Sequence, residues 1–255
     1  MLARRIIACL DVRDGQVVKG VNFRDLRGAG DAAELAARYN AEGIDELIVL
    51  DISATLEARQ AMSRTIAAIA AQLFIPLSAG GGIRSLEDAK AALDAGADKV
   101  SINTAALLQP QLITTLAATY GSQAVVVAID ARGSAQKGMY DVLSRSGTHL
   151  ERIDAVAWAR EAADRGAGEI LLTSIDRDGT RAGFDCALTA AVSTAVPIPV
   201  IASGGAGSLD HFAEVFTAGR ADAALAASIF HDSDYAVRDL KRVLAAQGIP
   251  VRLES

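Results

Sequence analysis

Short apolar runs alternate along the whole chain with longer amphipathic segments. Eight runs are typical of buried strands: RIIACL, ELIVL, IPLSA, KVSI, AVVVAI, EILLT, IPVIA and AALAA. Between them lie Ala-rich stretches such as AELAARYNAEG and SLDHFAEVFTAG, in which apolar residues recur at helical spacing and a glycine follows the last turn. Eight such βα units predict either a closed parallel barrel or an open doubly wound sheet.

An internal repeat favours the barrel. Residues of the first half recur 123 positions later in the second half, which is the signature of a duplicated unit. The matched pairs include Gly43 with Gly166, Glu46 with Glu169, Gly81 with Gly204, and Gly82 with Gly205. Two sets of four βα units close naturally into a (β/α)8 TIM barrel with a twofold half-barrel repeat. We therefore predict a single domain over residues 1–255.

Composition narrows the class of ligand. With 25 basic and 31 acidic residues, the net charge is −6, so we expect no nucleic acid or membrane partner, and any anion must be bound locally. The two cysteines form neither a disulfide framework nor a zinc site. The first apolar run is too short for a signal peptide or a membrane span, so we expect a cytoplasmic protein.

Two glycine-rich turns, SAGGGIRSLED and ASGGAGSLDHF, each follow a strand and precede a helix. Glycine lets backbone N–H groups approach an anion, and a helix N-terminus adds partial positive charge. A lone turn of this kind is usually structural, but two matched copies predict two phosphate sites and a ligand with a phosphate at each end. Active-site residues of barrels follow the strands. The candidates for binding are Gly82, Asn103, Thr104, Thr173, Asp178, Ser203, Gly204, Gly205, Ala227 and Ser228.

Asp11 and Asp130 end the first and fifth predicted strands. Either aspartate alone could simply form an Asx turn. As a matched pair between two anion sites, they indicate one proton donor and one proton acceptor. No strand ends in lysine, which argues against a Schiff-base mechanism, and no cluster of histidines and carboxylates suggests a metal. We expect neither metal nor cofactor.

Two further sets of residues have both a functional and an ordinary interpretation. The connection VRDGQVVKGVNFRDLRGAG lacks helical periodicity, which favours a lid, and we expect its Lys19 to contact the ligand rather than solvent alone. A second connection, SAQKGMYDVLSRSGTHL, has an irregular pattern. Charges that precede or begin strands are ordinarily exposed on the lower face of a barrel; here they are Arg5, Glu46, Lys99 and Glu169.

The motifs ACLDVRDGQVVKGVNF, SAGGGIRS, ADKVSINTAA, GSQAVVVAID, GAGEILLTSIDRDGT and IASGGAG occur together. Over essentially its whole length the chain closely resembles the cyclase subunits of imidazole glycerol phosphate synthase. The resemblance implies that ammonia from a glutaminase partner attacks the keto group of PRFAR, a bisphosphorylated ribulosyl aminoimidazole nucleotide. Cyclisation and cleavage then yield imidazole glycerol phosphate and AICAR, an aminoimidazole carboxamide ribotide.

The resemblance also implies roles for particular residues. Asp11 and Asp130 match the general acid and base, and Lys19 matches a lysine on a mobile loop. One phosphate would be bound by Gly82, Asn103 and Thr104, and the other by Asp178, Gly179, Gly205, Ala227 and Ser228. The four lower charges, Arg5, Glu46, Lys99 and Glu169, match a salt-bridged gate for ammonia. The glutaminase would dock on that N-terminal face, near Asp98 and Gln123.

Two other functions are weighed against this one. The sister isomerase of the same pathway resembles the cyclase in fold, repeat, bisphosphate ligand and aspartate pair, but the segments Cys9–Val12 and Lys19–Phe23 look like the cyclase form. A non-catalytic scaffold for a glutaminase is the second alternative. Retention of both aspartates and both glycine-rich turns argues against it.

Overall fold

The computed structural model describes residues 2–13, 16–21, 24–52, 56–136, 138–145, 147–231 and 236–253. Eight parallel strands close into a barrel. The fifth of them, Val125–Gly133, pairs with the sixth, Glu169–Ser174, and the last, Ala223–Ala226, pairs with the first, Arg5–Arg13. In the described residues the strands are β1 (Arg5–Arg13), β2 (Gln16–Val21), β3 (Arg24–Asp31), β4 (Glu46–Asp51), β5 (Leu77–Gly80), β6 (Lys99–Ile102), β7 (Val125–Gly133), β8 (Tyr140–Ser144), β9 (His149–Asp154), β10 (Glu169–Ser174), β11 (Val200–Ser203) and β12 (Ala223–Ala226). The barrel order is β1, β4, β5, β6, β7, β10, β11, β12, and all eight predicted strands are confirmed.

Helices connect the strands and cover the outside of the barrel. They are α1 (Ala32–Glu42), α2 (Leu56–Ala70), α3 (Leu86–Asp94), α4 (Thr104–Leu108), α5 (Gln111–Tyr120), α6 (Ala155–Asp164), α7 (Cys186–Ser193), α8 (Leu209–Thr217), α9 (Ser228–His231) and α10 (Val237–Ala246), with a 3-10 turn at Ser122–Ala124. The repeat extends to the helix caps: Asp31 and Asp154 each accept two backbone N–H groups at the start of α1 and α6. None of the helices described here is long and apolar enough to cross a membrane.

Each half carries an antiparallel ribbon after its first barrel strand. Strands β2 and β3 extend from β1, and strands β8 and β9 extend from β7 in the same way. The connection after the fifth barrel strand is therefore an antiparallel hairpin, and its register shifts between Asp141 and Leu143, in keeping with the irregular pattern of its sequence. Its alternation is hidden in the sequence because β9 is exposed at most of its positions and buries no apolar face.

Strand register decides which side chains face the barrel interior. Side chains alternate along a strand, and paired residues of neighbouring strands point to the same face. Ile7 pairs with Glu46 on one side and with Leu225 on the other, so these three side chains point inward. The apolar interior cluster consists of Ile7, Cys9, Ile48, Val126, Leu171, Ile201, Ala223 and Leu225, and the intervening residues pack against the helices.

A buried ion pair ties the last helix to the first strands. Lys241 of α10 is only 3% exposed, and its Nζ lies 2.6 Å from Asp45 Oδ1 and 2.7 Å from the Gly43 carbonyl oxygen. The second carboxylate oxygen of Asp45 accepts the Ile6 N–H at 2.8 Å. The chain ends are also joined here, since Arg4 and Val251 form a parallel bridge. Burial lowers the pKa of Lys241, whereas the Asp45 carboxylate opposes that shift.

We expect Lys241→Met to lower the free energy of unfolding by about 3 kcal/mol, because it leaves a buried carboxylate with one partner fewer. Urea denaturation measures the change. Arg242→Met is the matched control, since Arg242 pairs with Asp239 at the exposed surface, and we expect it to change stability by less than about 1 kcal/mol. Equal effects of the two substitutions would contradict this account.

Candidate active site

Asp11 and Asp130 face each other across the barrel mouth. Asp11 lies on β1 and Asp130 on β7, which are four strands apart in either direction around the barrel. Asp11 pairs with the inward-facing Leu50, and Asp130 pairs with Thr173, so both carboxylates point into the mouth. The sequence pattern predicted that both residues end their strands, but β1 and β7 continue past them to Arg13 and Gly133. The register adds the common orientation of the two aspartates.

Each carboxylate receives a hydrogen bond from a different kind of donor. The thiol of Cys9 donates to Asp11 Oδ1 at 3.6 Å, and Asn103 Nδ2 donates to Asp130 Oδ2 at 3.0 Å. Burial raises the pKa of both aspartates to about 6, against the lowering effect of these hydrogen bonds, and the charge of Asp178 raises each further. Burial also raises the pKa of Asp178 itself. Both aspartates can therefore exchange protons near neutral pH.

The first glycine-rich turn lies between β5 and α3. Gly81 has a φ of +85°, and a Cβ there would lie 2.0 Å from the Asp51 carbonyl oxygen, so only glycine fits. A Cβ on Gly82 would meet nothing within 4 Å, so the space beside this residue is open. The side chain of Ser85 caps α3 by accepting the N–H of Asp88. The turn thus combines an open backbone with a helix N-terminus.

Asn103 and Thr104 follow β6 beside this turn. Thr104 Oγ1 accepts the N–H of Arg145, a hairpin residue with a φ of +52°, at 3.0 Å. The hairpin β8–β9 is therefore fastened to the barrel next to the first glycine-rich turn. Asn103 Oδ1 is buried and has no hydrogen-bond partner in the described part of the chain, which is unusual for a buried amide oxygen.

The second glycine-rich turn lies between β11 and α8. Gly204 and Gly205 have φ values of +91° and +99°, and a Cβ on Gly205 would lie 2.2 Å from the Gly183 carbonyl oxygen. His211 shapes the turn, because its Nδ1 accepts the N–H groups of Gly207 and Ser208 at 3.2 Å each. Sequence reasoning assigned no role to His211. The repeat could have supplied one, since Asp88 lies 123 residues earlier and its carboxylate accepts the Arg84 N–H in the first turn.

The remaining candidate binding residues lie at the same end of the barrel. Thr173 and Ser203 are paired inward-facing residues of β10 and β11. Asp178 and Gly179 lie on the turn after β10, where Gly179 has a φ of +74°. Ala227 follows β12 and offers only backbone atoms for polar contacts. The side chains of Lys19 on β2 and Ser228 at the start of α9 lie outside what the structure describes.

The four lower charges form a closed ring at the opposite end of the barrel. Arg5 Nη1 lies 2.6 Å from Glu46 and 2.8 Å from Glu169, and Lys99 Nζ lies 3.1 Å from each of the same carboxylates. Glu46 and Glu169 are 5% and 9% exposed, so they are not the exposed strand-end charges that their sequence positions alone would suggest. The ring joins two cations to two anions, and every carboxylate contacts both cations.

The two residues expected near a partner also lie at this lower end. Asp98 is exposed, but its Oδ2 accepts the Leu77 N–H at 2.8 Å, so its carboxylate already has a structural contact. Gln123 is exposed and donates to the Tyr120 carbonyl oxygen. Sequence reasoning missed Phe74, which precedes β5 and is 95% exposed. A fully exposed phenylalanine is uncommon, but its exposure is not visible in the sequence pattern.

A (β/α)8 barrel with two inward-facing aspartates between two glycine-rich turns is typical of barrel enzymes that act on phosphorylated ligands. The comparisons identify the family within that class. The model of the family described as "Histidine biosynthesis protein" matches residues 5–236. Over 253 residues, 99% of each chain, the protein is 62% identical to imidazole glycerol phosphate synthase subunit HisF of Acidobacterium capsulatum and 59% identical to that of Solibacter usitatus. The chain therefore belongs to the histidine biosynthesis protein family and, within it, to the imidazole glycerol phosphate synthase HisF subunits.

The raised pKa of Asp11 has a consequence for stability. Between the unfolded value of 3.8 and the folded value of about 6, the folded state binds more protons than the unfolded state, so stability falls as pH rises through this window. We expect Asp11→Asn to stabilise the protein by about 2 kcal/mol at pH 8 and to have little effect at pH 4, where the native carboxyl is already neutral. Urea denaturation at the two pH values checks this. A gain of the same size at both would show that the burial of charge is not its cause.

Proposed function

We propose that the chain is the cyclase subunit of imidazole glycerol phosphate synthase and converts PRFAR and ammonia to imidazole glycerol phosphate and AICAR. The observation that carries the proposal is the inward-facing pair Asp11 and Asp130, which lies between two matched glycine-rich turns at one end of the barrel. The family assignment supports the same reaction.

The chemistry of the reaction needs both members of an acid/base pair. Attack of ammonia on a ketone requires a proton for the carbonyl oxygen and a base for the nitrogen, and the same protons must move again when water and the second product leave. Both pKa values are about 6, so a state in which one aspartate is protonated and the other is ionised is populated close to neutral pH. A bound bisphosphate adds negative charge and favours the protonated form of one aspartate further.

The two turns would hold the phosphates of the substrate. Gly82, Thr104 and the backbone N–H of Asn103, whose side-chain amide donates to Asp130, would bind one phosphate. Asp178, Gly179, Gly204, Gly205, Ala227 and Ser228 would surround the other, with Thr173 and Ser203 between them. Lys19 would contact the substrate from the ribbon β2–β3. Because the chain carries a net charge of −6, backbone N–H groups rather than a general positive field would supply the attraction.

The purified protein should consume PRFAR when ammonium salt is supplied at alkaline pH, as followed by the absorbance of the substrate. We expect Asp11→Asn and Asp130→Asn each to lower turnover by at least about a hundredfold, because each removes a proton-transfer group, and to leave calorimetric binding of PRFAR within a few fold.

Other outcomes of this experiment separate the alternatives. Isomerisation of the aldose precursor without cyclisation would indicate the sister isomerase, and binding without turnover would indicate a scaffold. Full activity of either Asn variant would remove that aspartate from the mechanism.

The lower end of the barrel would receive ammonia from a glutaminase subunit. The curated relatives are named as subunits of a synthase, which favours a partner for this chain as well. The ring of Arg5, Glu46, Lys99 and Glu169 lies where ammonia would enter, and the exposed Phe74, Asp98 and Gln123 lie on the face that would dock the glutaminase. Such an enzyme belongs in the cytoplasm, which would also keep the free cysteines Cys9 and Cys186 reduced.

Phe74→Asp is a sharper test of docking than charge reversal at Asp98. The Asp98 carboxylate accepts the Leu77 N–H, so its replacement would also remove a hydrogen bond within the barrel. We expect it to weaken binding of the purified glutaminase subunit about tenfold or more, since aromatic residues are enriched at protein interfaces and a buried carboxylate would take the place of an apolar ring. Leu108→Asp is the matched control, because Leu108 is 73% exposed at the other end of the barrel. Surface plasmon resonance measures both, and an equal or larger loss for Leu108→Asp would place the docking face elsewhere.

A further inference from the structure

The two repeat-related aspartates accept hydrogen bonds from donors at different sequence positions. Asp11 is bonded by Cys9, which lies two residues earlier on the same strand, and the equivalent position before Asp130 is Ala128. Asp130 is bonded by Asn103, which follows the neighbouring strand β6, and the equivalent position beside β1 is Ala227. Neither alanine side chain can donate a hydrogen bond. Each carboxylate therefore has one of the two donors and lacks the one that its counterpart has.

We propose that Cys9 is a positioning residue for Asp11: its thiol takes the place in the first half that the Asn103 amide takes in the second, and it orients the carboxylate for proton transfer. The functional part of this inference rests on the proposed cyclase function. The structural part does not rest on that function: it says only that the thiol donates to Asp11 and that Asp130 lacks such a donor.

The surroundings of Cys9 favour a donor and exclude a nucleophile. The side chain is 4% exposed and packs in the apolar interior cluster with Ile7 and Ile48, and burial raises its pKa well above the ordinary thiol value. The sulfur therefore keeps its proton and offers it to Asp11. A thiol is a weaker donor than an amide, so Asp11 is held less firmly than Asp130.

Few other described groups compete for Asp11. From β4 its inward neighbour is Leu50, and from β12 the nearby inward residues are Leu225 and Ala227. The charged group that acts on Asp11 from the loop after β10 is Asp178, which also acts on Cys9. Asp51 ends β4 but pairs with Val12, so it points to the outer face. Cys9 is thus the donor to Asp11 among the described side chains.

A carboxyl titration tests the structural part without substrate. In protein labelled with ¹³C at the aspartate carboxyl carbons, NMR follows Asp11 and Asp130 separately. We expect Cys9→Ala to raise the titration midpoint of Asp11 by roughly half a pH unit, the scale of one weak hydrogen bond, and to leave that of Asp130 in place. Cys9→Ser retains a donor, so its midpoint should stay closer to the wild-type value. No change for Asp11, or equal shifts for alanine and serine, would overturn the proposal.

Ammonia-dependent turnover tests the functional part. Cys9→Ala should shift one limb of the pH profile of kcat to higher pH by the same half pH unit, roughly, that we expect for the titration midpoint of Asp11. It should leave KM for PRFAR unchanged, because the proposed phosphate sites are intact. Cys186→Ala, at the other free cysteine, is the control and should not move the profile. A raised KM with an unmoved profile would indicate only a packing role and overturn the functional part. If the wild-type protein shows no turnover, the proposed function fails while the NMR result still decides whether the thiol holds Asp11.

Discussion

The alternation of side chains along eight closed parallel strands is the constraint on which the rest of the structure depends. A one-residue slip of any strand would turn its inward residues toward the helices. The same register that points Asp11 and Asp130 into the mouth also points Arg5, Glu46, Lys99 and Glu169 into the lower opening. The same register therefore sets the side chains at both ends of the barrel, with an apolar interior of Ile, Val, Leu, Cys and Ala between them.

The duplication supplies the site, and divergence between the halves makes it asymmetric. Each half provides one aspartate, one glycine-rich turn and one antiparallel ribbon. The residues that support these elements differ, since Asp88 shapes one turn and His211 the other. A substrate whose two ends are chemically different fits a mouth whose two sides share a plan but not their side chains.

Much of this arrangement could be predicted from the sequence because it depends on local patterns. Continuous apolar runs predicted the barrel strands, and the constant offset of Gly82 and Gly205 predicted paired turns. Contacts between distant residues could not be predicted in this way. The Asp98 carboxylate accepts the N–H of Leu77 on the neighbouring strand, and the ring of four charges is closed by side chains that are up to 164 residues apart. The hairpin β8–β9 was missed because β9 is exposed at most of its positions and carries no hydrophobic alternation.

The amide of Asn103 would favour one orientation of a ligand bound in the barrel mouth. Its amide nitrogen donates to Asp130, so the side chain cannot flip without losing that bond, and Oδ1 has no hydrogen-bond partner among the described residues. Keeping a buried acceptor unsatisfied costs about 1–3 kcal/mol. A ligand that presents an N–H or O–H group to this atom recovers that free energy on binding, whereas one that presents another lone pair does not.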